Sequence, residues 1–208
     1  MGVIVLIRHA ASLLNEENRI HGSENLDGPL SSTGKKQAAA LARALTKHKI
    51  GAIYSSPAKR ALDTAYVVAK TIKKQVIVIP KLQEKNHGKF EGMTWEEVWK
   101  SSPALLAAWR RDGDFRMPGG ESNQDVEKRV MLVIKHLMKK HPHEIVLVFA
   151  HAGVIRNIVG YYLRIPYGRR RLLSIQNTSR TVLTHKKDRF FPKKEFVVIE
   201  KINDASHL

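Results

Sequence analysis

Apolar residues fall in short unbroken runs, and each run leads into an ionisable or hydroxyl-bearing group. Val3-Ile4-Val5-Leu6-Ile7 delivers Arg8-His9, and Ala52-Ile53-Tyr54 leads to Ser55-Ser56-Pro57 and then Arg60. Val76-Ile77-Val78-Ile79 precedes Leu82-Gln83-Glu84, and Ile145-Val146-Leu147-Val148-Phe149-Ala150 runs straight into His151. Short runs of this kind, apolar at successive positions, predict strands covered on both faces, the pattern of a parallel sheet.

Helical periodicity fills the gaps. Ser31, Ser32 or Thr33 caps a helix through about His48, with Leu41 and Leu45 on its apolar side. Pro57 opens a helix that carries Arg60 in its first turn, where the helix dipole favours anions. Thr94 and Glu97 form a capping box ahead of Trp95, Val98 and Trp99, and the tryptophans are expected in the core. Pro103 to Arg111 is a further short helix, stopped by Asp112-Gly113. Ser122 or Glu121 caps a long helix with Val126, Val130, Ile134 and Leu137 on one face, ending near Pro142. Ala10 to Leu30 reads as a polar loop, and long loops of this kind are usually functional. Leu172 to Ile175, Thr181 to His185 and Glu195 to Ile202 read as edge strands or a terminal hairpin. No repeat or composition shift divides the chain, so a single α/β domain over residues 1–208 is expected.

If the four strands run parallel with right-handed crossovers, Arg8-His9, Arg60, Glu84 and His151 open on one edge of the sheet. That set suits phosphoryl transfer, which needs a nucleophile, positive charge around the equatorial oxygens and an acid for the leaving group. His9 attacks as a neutral imidazole whose other nitrogen donates to a backbone carbonyl, for which Ala10 is the candidate. Arg8, Arg60 and a protonated His151 hold the phosphoryl oxygens, while Glu84 protonates the leaving oxygen and then activates water.

Composition narrows the alternatives. There is no cysteine, which excludes disulfides, thiolate metal sites and a cysteine nucleophile. No run is long enough to span a membrane and Arg8 interrupts the first apolar stretch, so a soluble cytoplasmic protein without membrane partners is expected. Thirty-six Lys and Arg against 19 Asp and Glu leave a formal charge of +17. Such a field attracts small phosphorylated metabolites as well as polyanions. Arg169-Arg170-Arg171, Lys186-Lys187, Arg189 and Lys193-Lys194, with Phe190 and Phe191 between, could hold a nucleic-acid strand. A solvated face is the better account, and nucleic acid is not the expected partner. A metal enzyme would draw on His9, His151 and His21 or His87, but the usual short histidine spacings are missing, so no metal is expected.

The blocks taken together resemble the histidine phosphatase superfamily, branch 1, which includes the cofactor-dependent phosphoglycerate mutases. Leu6-Ile7-Arg8-His9 is similar to its Arg-His-Gly signature, Asn15 to its loop asparagine, and Asp27-Gly28-Pro29-Leu30 with Gly34 and Gln37-Ala38 to the next block. Ile53 to Pro57 with Arg60-Ala61 and Thr64-Ala65 resembles the second-arginine segment, Leu82-Gln83-Glu84 with Gly88 and Glu91-Gly92 the acid segment. Gly120-Glu121-Ser122 resembles the turn that follows, and His151 to Arg156 the second-histidine segment. The resemblance implies a three-layer α/β/α sandwich with a mostly parallel sheet. It also implies a phosphate pocket that takes in Asn15 and substrate contacts at His21, Gly22 and Ala152. Ala10 and Ala152 stand where the family usually has glycine, and their extra methyls are expected to narrow the approach to both histidines.

The loop Asn15 to Gly22 resembles the mutase version, and Trp109-Arg110-Arg111 resembles a mutase segment that grips a second phosphate. Arg110 and Arg111 have an equally good account as cations favoured at a helix carboxyl end. The chain passes quickly from Arg111 to Gly120, without the insertion that shields a phosphohistidine from water in longer mutases. A cofactor-free phosphatase acting on a small phosphorylated metabolite is therefore expected. A 2,3-bisphosphoglycerate-dependent mutase is the alternative, and the enzyme is expected to be a monomer or homodimer.

Overall fold

The structure, a computed structural model, describes residues 2–22, 28–112, 114–187 and 195–208, and of 110–112 the backbone alone. Its centre is a six-stranded sheet formed by β1 (Val3–Arg8), β2 (Ile50–Ser55), β3 (Val76–Val78), β4 (Ile145–Ala150), β5 (Arg180–Lys187) and β6 (Glu195–Asp204). The spatial order is β3-β2-β4-β1-β5-β6. The first four strands are mutually parallel, whereas β5 runs antiparallel to β1 and β6 antiparallel to β5.

Alternation along the central strands builds two cores. Val5 and Ile7 of β1, with Leu147 and Phe149 of β4, face α2 (Ser32–Leu45) and α3 (Lys59–Ile72), where Leu41, Leu45 and Val68 meet them. Ile4 and Leu6, with Val146 and Val148, face α6 (Asn123–Lys140) and α7 (Ala152–Tyr162) through Val130, Ile134, Leu137 and Ile155. Helices on both faces of a mainly parallel sheet make the three-layer α/β/α arrangement, and they explain why these strands are apolar throughout.

Local rules decide most helix starts. Ser31 accepts a hydrogen bond from Gly34 N at 3.0 Å, and Thr94 and Ser122 each form a reciprocal capping box, with Glu97 and Asp125. Thr94 and Ser122 open α4 (Trp95–Ser101) and α6, and α5 (Pro103–Asp112) follows α4.

Two expectations are corrected. Ala10 to Leu30 is not wholly loop: Ser12 and Asn15 form a capping box that opens the one-turn helix α1 (Leu13–Glu16). Leu172–Ile175 is not a strand, because arginine side chains take its carbonyls. Arg8 donates to Ile175 O at 2.7 Å and Arg156 to Leu173 O at 2.9 Å, while Ile175 is buried and Leu172 is exposed. Before it lies α8 (Tyr167–Arg170).

The start of α2 presses on the backbone just past His9. A Cβ built on Gly34 would lie 1.9 Å from Ala11 O, an approach that admits no side chain. Gly34→Ala is expected to destabilise the protein by about 1–3 kcal/mol, as overpacking does, read as a lowered urea midpoint with unchanged m-value.

Candidate active site

Parallel pairing of β1 with β4 puts Arg8 opposite Ala150, so the next residue of each strand, His9 and His151, emerges at the same level. Their rings lie 5.2 Å apart between centroids. His9 donates from Nδ1 to Ala10 O at 2.8 Å, which leaves Nε2 as the unprotonated nitrogen. The surrounding main chain is tied from three sides. His9 N donates to Ala150 O at 3.0 Å, Ala10 N to Thr64 Oγ1 at 3.0 Å, and Asn177 Nδ2 to His9 O at 2.9 Å.

Arg60, in the first turn of α3, is 1% exposed and donates from Nη2 to Gly22 O at 3.1 Å and to His151 Nδ1 at 3.2 Å. With Nδ1 accepting, His151 carries its proton on Nε2 and donates to Ser56 Oγ at 2.8 Å. Burial, and then the Arg60 charge, push both histidines well below the ordinary imidazole range. Arg8 is lowered to about 10, by burial first; Glu84 opposes this, while Arg156 and Arg60 add to it. This runs against the expectation of a protonated His151: its neutral form is favoured, because protonating it would bury a further cation beside Arg60.

Glu84 lies beyond β3, in a stretch without regular structure. Its two carboxylate oxygens accept from Lys85 N at 2.8 Å and from Gly153 N at 3.0 Å, the latter in the first turn of α7. Asn15 Nδ2 donates to His21 Nε2 at 3.0 Å, and His21 packs edge-on against His9 at 5.8 Å. Gly22 is buried where a Cβ would meet a Glu91 carboxylate oxygen at 1.9 Å and Lys85 O at 2.7 Å, so this position contributes through its carbonyl. The methyl of Ala10 packs against Leu30 and Ala38 in a small core of its own, so it does not narrow the approach to His9, contrary to expectation. Ala152 lines the cleft.

That cleft, about 250 Å³, opens over Asn15, His21, Glu84 and Gly153, next to the buried His9 and His151. Its walls bring in residues that strand-end reasoning missed: Lys85, His87, Arg156, Arg171 and the rings of Trp95 and Trp109. Trp95 is 41% exposed and stacks on Trp99, which in turn meets Trp109. Trp95 is thus cleft wall rather than core, a distinction that helical periodicity does not make. Arg156 follows Ala152 by four residues on α7 and so shares its face, a signal already present in the sequence. Lys85 is buried, and its ammonium makes a long contact to Phe115 O at 3.5 Å and lies over the Phe115 ring, 5.5 Å from its centroid. The side chains of Arg110 and Arg111, and residues 188–194 of the late basic cluster, lie outside the described residues. Among the described residues no three His, Asp or Glu side chains converge as metal ligands, and no helix is long and apolar enough to cross a membrane.

The sequence profile described as the histidine phosphatase superfamily (branch 1) matches residues 4–196. The chain belongs to this superfamily. A metal-independent phosphoserine phosphatase of Arabidopsis thaliana is 40% identical over 166 residues, 78% of this chain and 68% of that protein. Phosphoglycerate mutase-like protein 4 of the same plant is 34% identical over 209 residues, 99% of this chain and 86% of that protein. Among solved structures, a mycobacterial glucosyl-3-phosphoglycerate phosphatase superposes with a TM-score of 0.83 at 28% identity, covering 97% of this chain and 98% of that one. Family and relatives together make the chain a histidine phosphatase, in the class of phosphoric monoester hydrolases.

The buried imidazoles of this histidine phosphatase couple stability to pH. His21 and His87 are both lowered from 6.5 to about 4, by burial first. The unfolded chain binds these protons near pH 6.5 and the folded chain only near 4. Their contribution is therefore complete above pH 6.5 and is lost as pH falls toward 4, at up to ~1.4 kcal/mol per pH unit for each group. The melting temperature is expected to drop across that window, and His87→Gln to make the drop shallower. An unchanged slope in the variant would show that His87 titrates normally.

Proposed function

We propose that the chain, acting as one domain over residues 1–208, is a metal-independent phosphatase that hydrolyses small phosphate monoesters through a phosphohistidine on His9. The observation that carries this reading is the Nδ1 bond of His9 to Ala10 O, which leaves Nε2 bare beside Arg8, Arg60 and His151. Nε2 attacks phosphorus as the ester P–O bond breaks, and the departing oxygen takes a proton from the Glu84 carboxyl. A water then attacks the phosphorus, Glu84 takes the water's proton, and the N–P bond breaks to release phosphate and free His9. Arg8, Arg60 and His151 hold the phosphoryl oxygens, and Asn15, with the Gly22 carbonyl that orients Arg60, completes the pocket. A dianionic phosphoryl group supplies the negative charge that this buried cluster lacks, in surroundings that weaken screening.

The leaving group faces Lys85, Arg156 and Arg171 and the Trp95 and Trp109 rings, with Glu84 as the lone carboxylate of the cleft lining among the described residues. This favours a small substrate with a second negative group near the phosphate, such as a phosphorylated acid. The Arabidopsis relative named a metal-independent phosphoserine phosphatase supports both the substrate class and the absence of a metal cofactor.

Phosphorus NMR in chelator, with O-phosphoserine, 3-phosphoglycerate and a panel of other monoesters, is the direct test. Inorganic phosphate should accumulate. Formation of 2-phosphoglycerate from 3-phosphoglycerate with little free phosphate, dependent on 2,3-bisphosphoglycerate, would establish a mutase instead. His9→Ala is expected to remove turnover and the acid-labile phosphoenzyme together, and normal activity in that variant would sink the scheme. Glu84→Gln should lower kcat/KM for alkyl monoesters by about 10²–10⁴-fold and for activated aryl phosphates far less, since in forming the phosphoenzyme the latter leave without a proton.

A further inference from the structure

Glu84 is carried by residues 83–87, a stretch with neither helix nor strand. The carbonyls of Gln83 and Glu84, and that of Lys81 just before them, are held instead by one guanidinium. Arg129, two turns into α6, donates from Nη1 to Lys81 O at 2.8 Å and to Gln83 O at 2.7 Å, and from Nη2 to Glu84 O at 3.1 Å. Its remaining donors form a fork on Glu121, Nε to Oε1 and Nη2 to Oε2, each at 2.8 Å. All five N–H groups of Arg129 are thereby used.

Glu121 completes the brace from the other side of Glu84. Its Oε2 accepts from Asn86 N at 3.0 Å, and its own backbone N–H donates to Asn86 O at 2.8 Å. The pair is mostly buried, with side chains 19% and 24% exposed, and neither residue lines the substrate cleft. The side-chain end of Glu84 is fixed separately, by Lys85 N and by Gly153 N at the start of α7. Glu84 is thus strung between two helices that pack on each other, its main chain on α6 and its carboxylate on α7.

We propose that the Arg129–Glu121 ion pair is the positioning device of this enzyme's general acid: it sets the height of the Glu84 carboxyl over the phosphoryl site without touching substrate. The proposal rests on the reading of Glu84 as proton donor. A planar five-donor fork is the group that can grip three carbonyls and a carboxylate at once. Lysine offers three donors from a single point and cannot reproduce it. Misplacing Glu84 by a fraction of an ångström weakens the steps that pass a proton through it, so in forming the phosphoenzyme the brace should be felt where the leaving group is poor.

The test compares Arg129→Met, Arg129→Lys and Glu121→Gln with the wild type, on p-nitrophenyl phosphate and on the best alkyl monoester of the panel. In Arg129→Met, kcat/KM for the alkyl ester, which reports formation of the phosphoenzyme, should fall about ten- to hundredfold, while kcat/KM for the aryl ester stays within about threefold. Arg129→Lys and Glu121→Gln should fall between, and they carry the comparison if the methionine variant does not fold. In a Glu84→Gln background, Arg129→Met should add almost nothing, because both changes act through one carboxyl. Equal losses on the two substrates, or a full additional loss in the Glu84→Gln background, would overturn the proposal and leave the pair as a structural staple. If Glu84→Gln alone shows no leaving-group dependence, the reading of Glu84 fails instead, and the two failures stay distinct.

Discussion

Two arginines and two imidazoles share a volume at the ends of β1 and β4 from which water is largely excluded, and the architecture around them answers that electrostatic problem. The strands are central in the sheet and apolar on both faces, so the burial of Val5, Ile7, Leu147 and Phe149 on one side and Ile4, Leu6, Val146 and Val148 on the other offsets the penalty of desolvating the charges. The imidazoles respond by giving up protons, and the guanidiniums by donating to carbonyls, as Arg8 does to Ile175 and Arg60 to Gly22. Fixing these cations and neutral rings in one place concentrates positive potential at the strand ends.

His9, Arg8 and Glu84 are oriented largely by backbone, whereas the Arg60 and Ser56 side chains hold His151. Ala10 O sets the tautomer of His9, the Lys85 and Gly153 amides hold the Glu84 carboxylate, and the Ile175 carbonyl turns Arg8. Main-chain groups fixed by helices and a sheet move little, so the geometry is pre-organised rather than assembled on binding. Side-chain partners enter where the main chain is itself irregular, at the Glu84 segment braced from α6 and at the His9 turn tied by Thr64 and Asn177.

Strand ends were the most legible part of this sequence, because a short apolar run that stops at Arg8-His9 or His151 leaves little doubt about element or direction. Caps were legible for the same local reason at Ser31, Thr94 and Ser122. Strand order was not, since nothing local in β5 says that it will pair with β1 rather than lie at an edge. Leu172–Ile175 misled because an apolar run carries no record of which donors will meet its carbonyls. Trp95 and Trp109 were unreadable as cleft walls because the side of a helix that faces a cavity is as apolar as the side that faces a core. Arg129 gave no signal, as the carbonyls it grips lie 45 to 48 residues away and look alike in every sequence.

The placement of β5 has a bearing on how the molecule is made. The turn that enters it supplies Asn177 to the carbonyl of His9 and the Thr178 amide to that of Arg8, and the strand then covers the open side of β1. During synthesis the first strand emerges early, yet both of its neighbours, β4 and β5, come from the last third of the chain. A nascent polypeptide on the ribosome thus carries Arg8, His9, Arg60 and Glu84 well before the partners that orient them, such as Gly153, Ile175 and Asn177, have emerged, and the cleft takes shape late with the closing strands.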